Sequence, residues 1–317
     1  MENEVFKVED HLWYVVVNPN ACDSHCLDNW PKVSAALDKA GIRYEMHISD
    51  TQGSGMMKAR RICEQGGRHI MVIGGDGTIN EVVNGIFRSG VDTKELFLAV
   101  LPLGRGNDWA RAHNFPTDLE HVMEVFRRGH FLRHDIGRVT SVRENEEPFY
   151  RYFINIAGFG FDAEVIYDVN YNKPHFAGIS VYMLSLARML FRYKSQPLRV
   201  QSPDFSYDGK TFMMVAAIGK YNGGGMCQAP ESIADDGLFD VVIIPKVSNL
   251  RVIANVKNLS DGSHVKKIKG IQSFHTASLT IESDCPVRGE VEGELLPVGR
   301  YDLDILPNSL NVLTNLS

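Results

Sequence analysis

Cysteine is scarce in this chain and has no pairing pattern. Five occur in 317 residues, at 22, 26, 63, 227 and 285, with no CxxC spacing. That excludes a disulfide framework and a zinc ribbon and reads as reduced cytosolic thiols. Cys22 and Cys26 flank His25 closely enough to suggest a metal, but no second ligand cluster completes a site. Clean apolar runs of about 18 residues are also missing. The most apolar stretch, FAGISVYMLSLARMLFRY at 176–193, is interrupted by Arg188 and Arg192, so a membrane span is not expected. The opening MENEVFKVED is acidic and polar, unlike a signal peptide. No long basic block occurs, and 33 Lys and Arg against 39 Asp and Glu leave a net charge of −6. A dedicated nucleic-acid binder is therefore excluded, although local basic patches remain compatible with phosphates or anionic lipid. Internal repeats and low-complexity segments are absent. What remains is an ordinary globular composition, 44% hydrophobic and 23% charged, long enough for two domains.

The first half alternates strand and helix. Apolar runs at Leu12–Val17, Tyr44–Ile48, His69–Ile73 and Phe97–Leu101 read as buried strands. Between them, Leu27, Trp30, Val33 and Leu37 recur at helical spacing up to Gly41, and a second helix is expected around Gly55–Gln65. Thr117–Arg128 reads as a helix with Thr117 and Glu120 as a capping box and Gly129 past its end. Such alternation means βα units and a largely parallel sheet. After about Asp135 the texture changes to short alternating runs separated by turns, among them KTFMMVAAIG, FDVVIIP and YDLDILP. These predict an antiparallel sheet or sandwich, with helices near 178–193 and 248–259. The expected division is 1–134 and 135–297.

Chemistry concentrates at two strand-to-helix turns. In HIMVIGGDGTINEVVNGIF (69–87) a buried strand runs straight into Gly74-Gly75-Asp76-Gly77. A helix follows from Thr78, with Glu81 as its capping-box partner and Ile79, Val82, Val83, Ile86 and Phe87 as its apolar face. Glycines allow a tight turn and close approach of a ligand, and the helix N-terminus favours a phosphate. The pattern is neither GxxxxGK[ST] nor GxGxxG. Asp76 beside phosphates implies a cation or hydroxyl sharing the site. A second turn, LAVLPLGRGNDWAR (98–111), carries Gly104, Arg105, Gly106, Asn107 and Asp108. It is read either as part of one phosphate pocket, with Arg105 adding charge, or as a helix capped by Asn107 or Asp108.

GGDGTINEVVNG (74–85) and PLGRGNDWAR (102–111) resemble the diacylglycerol kinase catalytic-domain family, which includes bacterial diacylglycerol kinases, sphingosine kinases and ceramide kinases. Further matches follow in order: Asn18-Pro19, HDIGRV (134–139), FINIAGFGFDAEV (153–165), GGGMCQAPESIADDGLFDVVII (223–244) and VEGELLP (291–297). The resemblance implies an α/β nucleotide domain akin to those of NAD kinases and phosphofructokinases. It also implies a C-terminal β-sandwich domain for lipid, with 298–317 returning to the first. The implied reaction transfers the γ-phosphate of ATP, with Mg²⁺, to a lipid hydroxyl.

By the same resemblance Gly74, Gly75, Asp76, Gly77, Thr78 and Asn80 hold the ATP phosphates, with Asn18, Ser49, Gly104, Arg105, Asn107 and Asp108 at the nucleotide. Asp236, with the carbonyls of Ile233 and Leu238, matches a magnesium site. Glu294 matches the proton acceptor of a DGE turn, and Glu292 and Asp76 complete the catalytic set. Two residues depart from the pattern: Glu292 stands where aspartate is usual, and Arg105 where threonine is often found. Read without the resemblance, Glu292 and Glu294 make a solvated hairpin edge, and Asp235-Asp236-Gly237 a turn. The 176–194 segment, with Phe176, Ile179, Val181, Met183, Leu184 and Leu186 ahead of Arg188, Arg192 and Lys194, is either a core helix or a membrane-surface helix. Lys266, Lys267 and Lys269 are a small basic cluster. The expected partners are ATP, a lipid alcohol, a membrane surface and a second copy of the chain, in a cytoplasmic, peripherally membrane-associated protein. Diacylglycerol leads among the acceptors; phosphatidylglycerol, a sphingoid base and an undecaprenol-like alcohol stay open. The rival readings are an NAD kinase-like enzyme and a nucleotide-binding regulator without phosphotransfer.

Overall fold

The computed structural model describes residues 6–19, 28–104, 106–172 and 179–315. By internal packing the chain falls into two units, Met1–Ile136 with Pro307–Ser317, and Gly137–Leu306.

The first unit contains β1 (Leu12–Val17), α1 (Trp30–Lys39), β2 (Arg43–Ile48), α2 (Ser54–Glu64), β3 (His69–Gly74), α3 (Asp76–Phe87), β4 (Phe97–Pro102), α4 (Asp108–Ala112), α5 (Leu119–Arg128) and the start of β5 (Phe131–Val142). The strands order as β2-β1-β3-β4, all parallel, and the returning chain adds Asn311 and Val312 in parallel beside Phe97 and Leu98. Strands β1, β3 and β4 are nearly continuous apolar runs because helices cover both faces of a parallel sheet. The order reverses between β1 and β3, which is where an open α/β sheet leaves a crevice at its strands' carboxyl ends. At the opposite end of the strands, Phe6, His11, His69, Phe97 and Phe131 stack into one aromatic cluster. The α5 cap differs from the sequence expectation. Asp118, not Thr117, precedes the helix, and its carboxylate accepts the His121 N–H at 3.1 Å, while Gly129 closes the helix with φ 60° as expected.

The second unit follows with β6 (Phe149–Phe153), β7 (Ile156–Gly160), α6 (Phe161–Tyr171), α7 (Ile179–Arg192), β8 (Gln196–Gln201), β9 (Ser206–Ala217), β10 (Tyr221–Asn222), β11 (Met226–Cys227) and β12 (Phe239–Pro245). It continues through α8 (Asn249–Ala254), α9 (Val256–Ser260), α10 (His264–Lys267), β13 (Gln272–Thr276), β14 (Ser278–Glu282), β15 (Gly289–Val291), β16 (Glu294–Leu295) and β17 (Arg300–Leu313). Its strand pairs are antiparallel. Strand β9 is apolar throughout its second half because both faces are covered. Met214 and Ala216 enter one core with Phe153, Phe159, Phe239 and Tyr301, whereas Met213, Val215 and Ala217 enter another beneath the helices. The expected sandwich with helices is thus observed. Helix α6 is an addition: its residues lie partly within the stretch taken as a glycine-rich strand. Leu186, Met189 and Leu190 of α7 pack on the second core, as a core helix requires, while Leu184 and Phe191 are exposed.

Candidate functional site

The two glycine turns of the first unit touch. A Cβ built on Gly104 would stand 2.4 Å from Gly75 Cα, and one on Gly75 would stand 3.0 Å from Gly104 Cα, so only glycine allows this approach. A Cβ built on Gly77, by contrast, would meet nothing within 4 Å among the described residues. Helix α3 begins at Asp76, and Gly75's carbonyl accepts its first bonds from the Thr78 and Ile79 N–H groups at 2.9 and 3.1 Å. The N–H groups of a helix's first turn have no acceptor within the helix and carry its positive end. Asn18, just after β1, donates its side-chain amide to Thr78 Oγ1 at 3.1 Å, bridging the point where the strand order reverses.

The acidic residues here act on the neighbouring helix. The two Asp76 carboxylate oxygens accept the N–H groups of Asp108 and Trp109, each at 3.1 Å. Asp76 therefore caps α4 and holds the second turn against the first. Asn107, in the left-handed region at φ 50°, does not cap α4. Its carboxamide accepts the Gly104 N–H at 2.9 Å and donates to the Gly104 and Pro102 carbonyls. Glu81 likewise does not box its own helix: it accepts the N–H groups of Gly53 at 2.7 Å and Gly55 at 2.9 Å, at the start of α2. One turn on, Gly85 lets α2 approach, since a Cβ there would lie 2.3 Å from the Met56 carbonyl.

Other expected nucleotide contacts are turned inward. Ser49 is buried, with its hydroxyl 2.9 Å from that of Ser54. Asn80 is buried and receives the Asn84 side-chain amide. Asp108 is buried at the first turn of α4. Arg105 lies outside the described residues, as do Cys22, Cys26, His25 and Phe176.

In the second unit the paired glutamates separate in role. Glu292 sits at φ 50°, and its Oε1 accepts the N–H groups of Ile154 and Asn155, both at 2.7 Å. It therefore ties the β15–β16 turn to the chain between β6 and β7. Glu294 is partly exposed and lies 3.7 Å from Arg151. Beneath this turn Glu290 is fully buried, accepts the Gly293 N–H at 2.7 Å, and neighbours Asp162. Burial, then the Asp162 charge, pushes the Glu290 carboxyl well above its usual range. Asn222 bridges the pair, donating to Asp162 Oδ2 at 2.9 Å and reaching Glu290 Oε1 at 3.4 Å. Sequence reading missed Glu290 because a glutamate in a short strand reads as exposed. The only signal was its alternation between glycine and valine on a buried strand.

An apolar cavity occupies the helical side of the same unit. Its lining includes Leu186, Leu190, Phe212, Met213, Val252 and Leu259. The lining residues Lys246, Arg251, Val256 and Lys269 are exposed and Phe161, Asp162, Gln228 and His264 are buried, so it runs from a basic, apolar rim to a polar inner end.

Asp236 accepts the Leu238 N–H at 3.0 Å in an exposed turn, and Ile233 is exposed. Nearby Asp240 is buried, and its Oδ2 has no hydrogen-bond partner among the described residues; His275 is 3.9 Å away. Burial pushes the Asp240 carboxyl up to about 6, with Glu231 and Asp236 adding to the rise. This oxygen-rich, electronegative turn fits a hard divalent cation. Among the described residues no three acidic, histidine or cysteine side chains converge as a metal-binding group, so such an ion would draw on main-chain carbonyls.

The chain thus combines a parallel α/β unit, whose glycine turns join at its switch point, with an antiparallel β-sandwich unit. The family comparisons agree. The diacylglycerol kinase catalytic domain matches residues 12–139. The YegS C-terminal NAD kinase beta sandwich-like domain matches 155–314. A diacylglycerol kinase of Staphylococcus saprophyticus is 27% identical over 93% of this chain and 95% of its own. One of Staphylococcus carnosus is 28% identical over 89% of each. The crystal structure of a diacylglycerol kinase from Bacillus anthracis shares the fold, with TM-score 0.70 at 18% identity over 96% of each chain. The chain belongs to the diacylglycerol kinase family and is a kinase.

Proposed function

We propose that the chain transfers the γ-phosphate of ATP to the hydroxyl of a membrane lipid, with diacylglycerol as the favoured acceptor. The observation that carries this reading is the contact of the two glycine turns at the sheet's switch point, which leaves open space at Gly77 and the first N–H groups of α3 for phosphate. Gly74, Gly75, Gly77 and Thr78 bind the phosphates, Asn18 orients Thr78, and Asp76, Gly104, Asn107 and Asp108 fix the second turn. Ser49 and Asn80 support this frame from within. Bound Mg²⁺ would neutralise phosphate charge during transfer, and the Asp236 turn, with the Ile233 and Leu238 carbonyls, would hold a cation that stiffens the second unit. Glu294 accepts the proton of the lipid hydroxyl, because Glu292 already spends one oxygen on two main-chain donors.

The apolar cavity favours a tailed acceptor over a dinucleotide. Its rim, where Leu250, Ile253 and Val256 are exposed beside Lys246, Arg251 and Lys269, suits contact with an anionic membrane. No helix among the described residues is long and apolar enough to cross a membrane.

The test supplies purified protein with Mg²⁺, γ-labelled ATP and mixed micelles of diacylglycerol, phosphatidylglycerol, a sphingoid base or a polyprenol. A labelled lipid is expected, with Glu294→Gln lowering turnover by ~10²–10⁴-fold. Labelled NAD in a parallel reaction, with no labelled lipid, would replace this reading with the NAD kinase one.

A further inference from the structure

The polar inner end of the cavity holds two buried side chains with acceptor oxygens, Asp162 and Gln228, beside the buried His264 imidazole. Asp162, a lining residue, is 6% exposed, and its neighbour Glu290 is 1% exposed. Gly158 lies between them: a Cβ there would stand 2.7 Å from an oxygen of each carboxylate, so glycine is what lets the two acids share this corner. The strand register pairs Gly158 with Glu290, which fixes the arrangement in the sheet. Asn222, which bridges the two acids, pairs across the β10–β11 hairpin with Met226, another lining residue. An independent feature points the same way. Gln228 also lines the cavity, is 2% exposed, and its carboxamide oxygen has no hydrogen-bond partner among the described residues. A buried acceptor left without a donor is costly, and it is relieved by a ligand that supplies one.

We propose that Asp162 and Gln228, with Glu290 behind Asp162, form a head-group site that selects amphiphiles whose polar end donates hydrogen bonds and carries no negative charge, a hydroxyl or an ammonium. This deepens the lipid-kinase reading and rests on it. The ligand enters head first, and its tail runs along Leu186, Leu190 and Phe212 toward the rim. Burial and the Asp162 charge favour a proton on Glu290, leaving the negative charge of this corner on Asp162. That charge welcomes a cationic or neutral donor and repels an anion. A phosphorylated lipid is such an anion, so the site that admits the acceptor expels the product. Because Glu290 also accepts the Gly293 N–H, the head-group site is built into the turn that carries Glu294.

The experiment measures binding without ATP, by equilibrium dialysis of decylammonium, decanol and decanoate below their micelle concentrations. The wild type is expected to bind them in that order of affinity, with ammonium favoured over carboxylate by ~10-fold or more. In Asp162→Asn with Glu290→Gln, which keep shape but remove charge, the ammonium-to-alcohol ratio should fall by ~10-fold. Melting curves check that each variant is folded; if the double variant is not, Asp162→Asn alone is read for the same fall. An unchanged ratio in a folded variant overturns the proposal, as does a wild type that binds none of the three. The two claims fail separately. Lipid turnover with an unchanged ratio would leave the kinase reading standing without this site. A shifted ratio with no labelled lipid would leave the site standing without that reading.

Discussion

Two glutamates two positions apart do different work. Glu292 accepts two main-chain N–H groups from a strip more than a hundred residues away in sequence, and Glu294 stands partly open. Glu292→Ala should therefore lower stability by about 1–3 kcal/mol, the cost of leaving buried donors unmet. Glu294→Gln should leave the melting temperature within the range of a surface change while activity falls. Thermal melts and turnover measured on both variants check this; a stable Glu292→Ala would remove the clamp from the account. None of it was legible from the residues themselves. Three glutamates at every second position read alike in the sequence, and only the turn's left-handed backbone at 292 and 293 separates them.

At the scale of elements, the strands of the first unit were legible because each is an apolar run ended by turn residues. What could not be read were the links between elements. Asp76 caps a helix 32 residues on, and Glu81 caps one whose preceding Gly53 lies 28 residues earlier; each looks locally like a residue serving its own helix. The glycines differ for the same reason. Gly104→Ala would force the two turns apart, and Gly77→Ala meets nothing. Gly77→Ala should therefore keep or raise the melting temperature, since alanine in a helix is favoured by about 0.5–1 kcal/mol. It should nonetheless weaken ATP binding, because the methyl would occupy the space proposed for the phosphate. Gly104→Ala should lose both. Calorimetric ATP titration with melting curves separates these outcomes, and tight ATP binding by Gly77→Ala would move the phosphates elsewhere.

For the whole molecule, acid acts with opposite sign on buried histidines and on the raised carboxyls. In the first unit, burial holds His134 and His69 down at about 4. Between about 4 and the ordinary histidine value the unfolded chain binds more protons, so this stability is present at neutral pH and declines as pH falls, by at most ~1.4 kcal/mol per pH unit per histidine. In the second unit the Asp240 and Glu290 carboxyls are raised. There the native state binds more protons, so their contribution is present at low pH and is lost as pH rises. Hydrogen exchange at pH 4.5 and 7 should show β3 and β4 losing protection on acidification before β9 and β12. The reverse order would contradict this assignment. His69→Phe, which suits its aromatic neighbours and cannot titrate, should flatten part of the response.

The excursion of the chain between Ile136 and Pro307 has a consequence for synthesis. All of the second unit is encoded as one uninterrupted stretch, whereas the first receives Asn311 and Val312 only after it. As the chain emerges from the ribosome, the inserted unit has its whole sequence available first. The first unit must wait, one strand short, until residues 311 and 312 emerge. A nascent chain stalled before residue 307 would carry a complete sandwich and an open sheet edge, which is the form most in need of a chaperone.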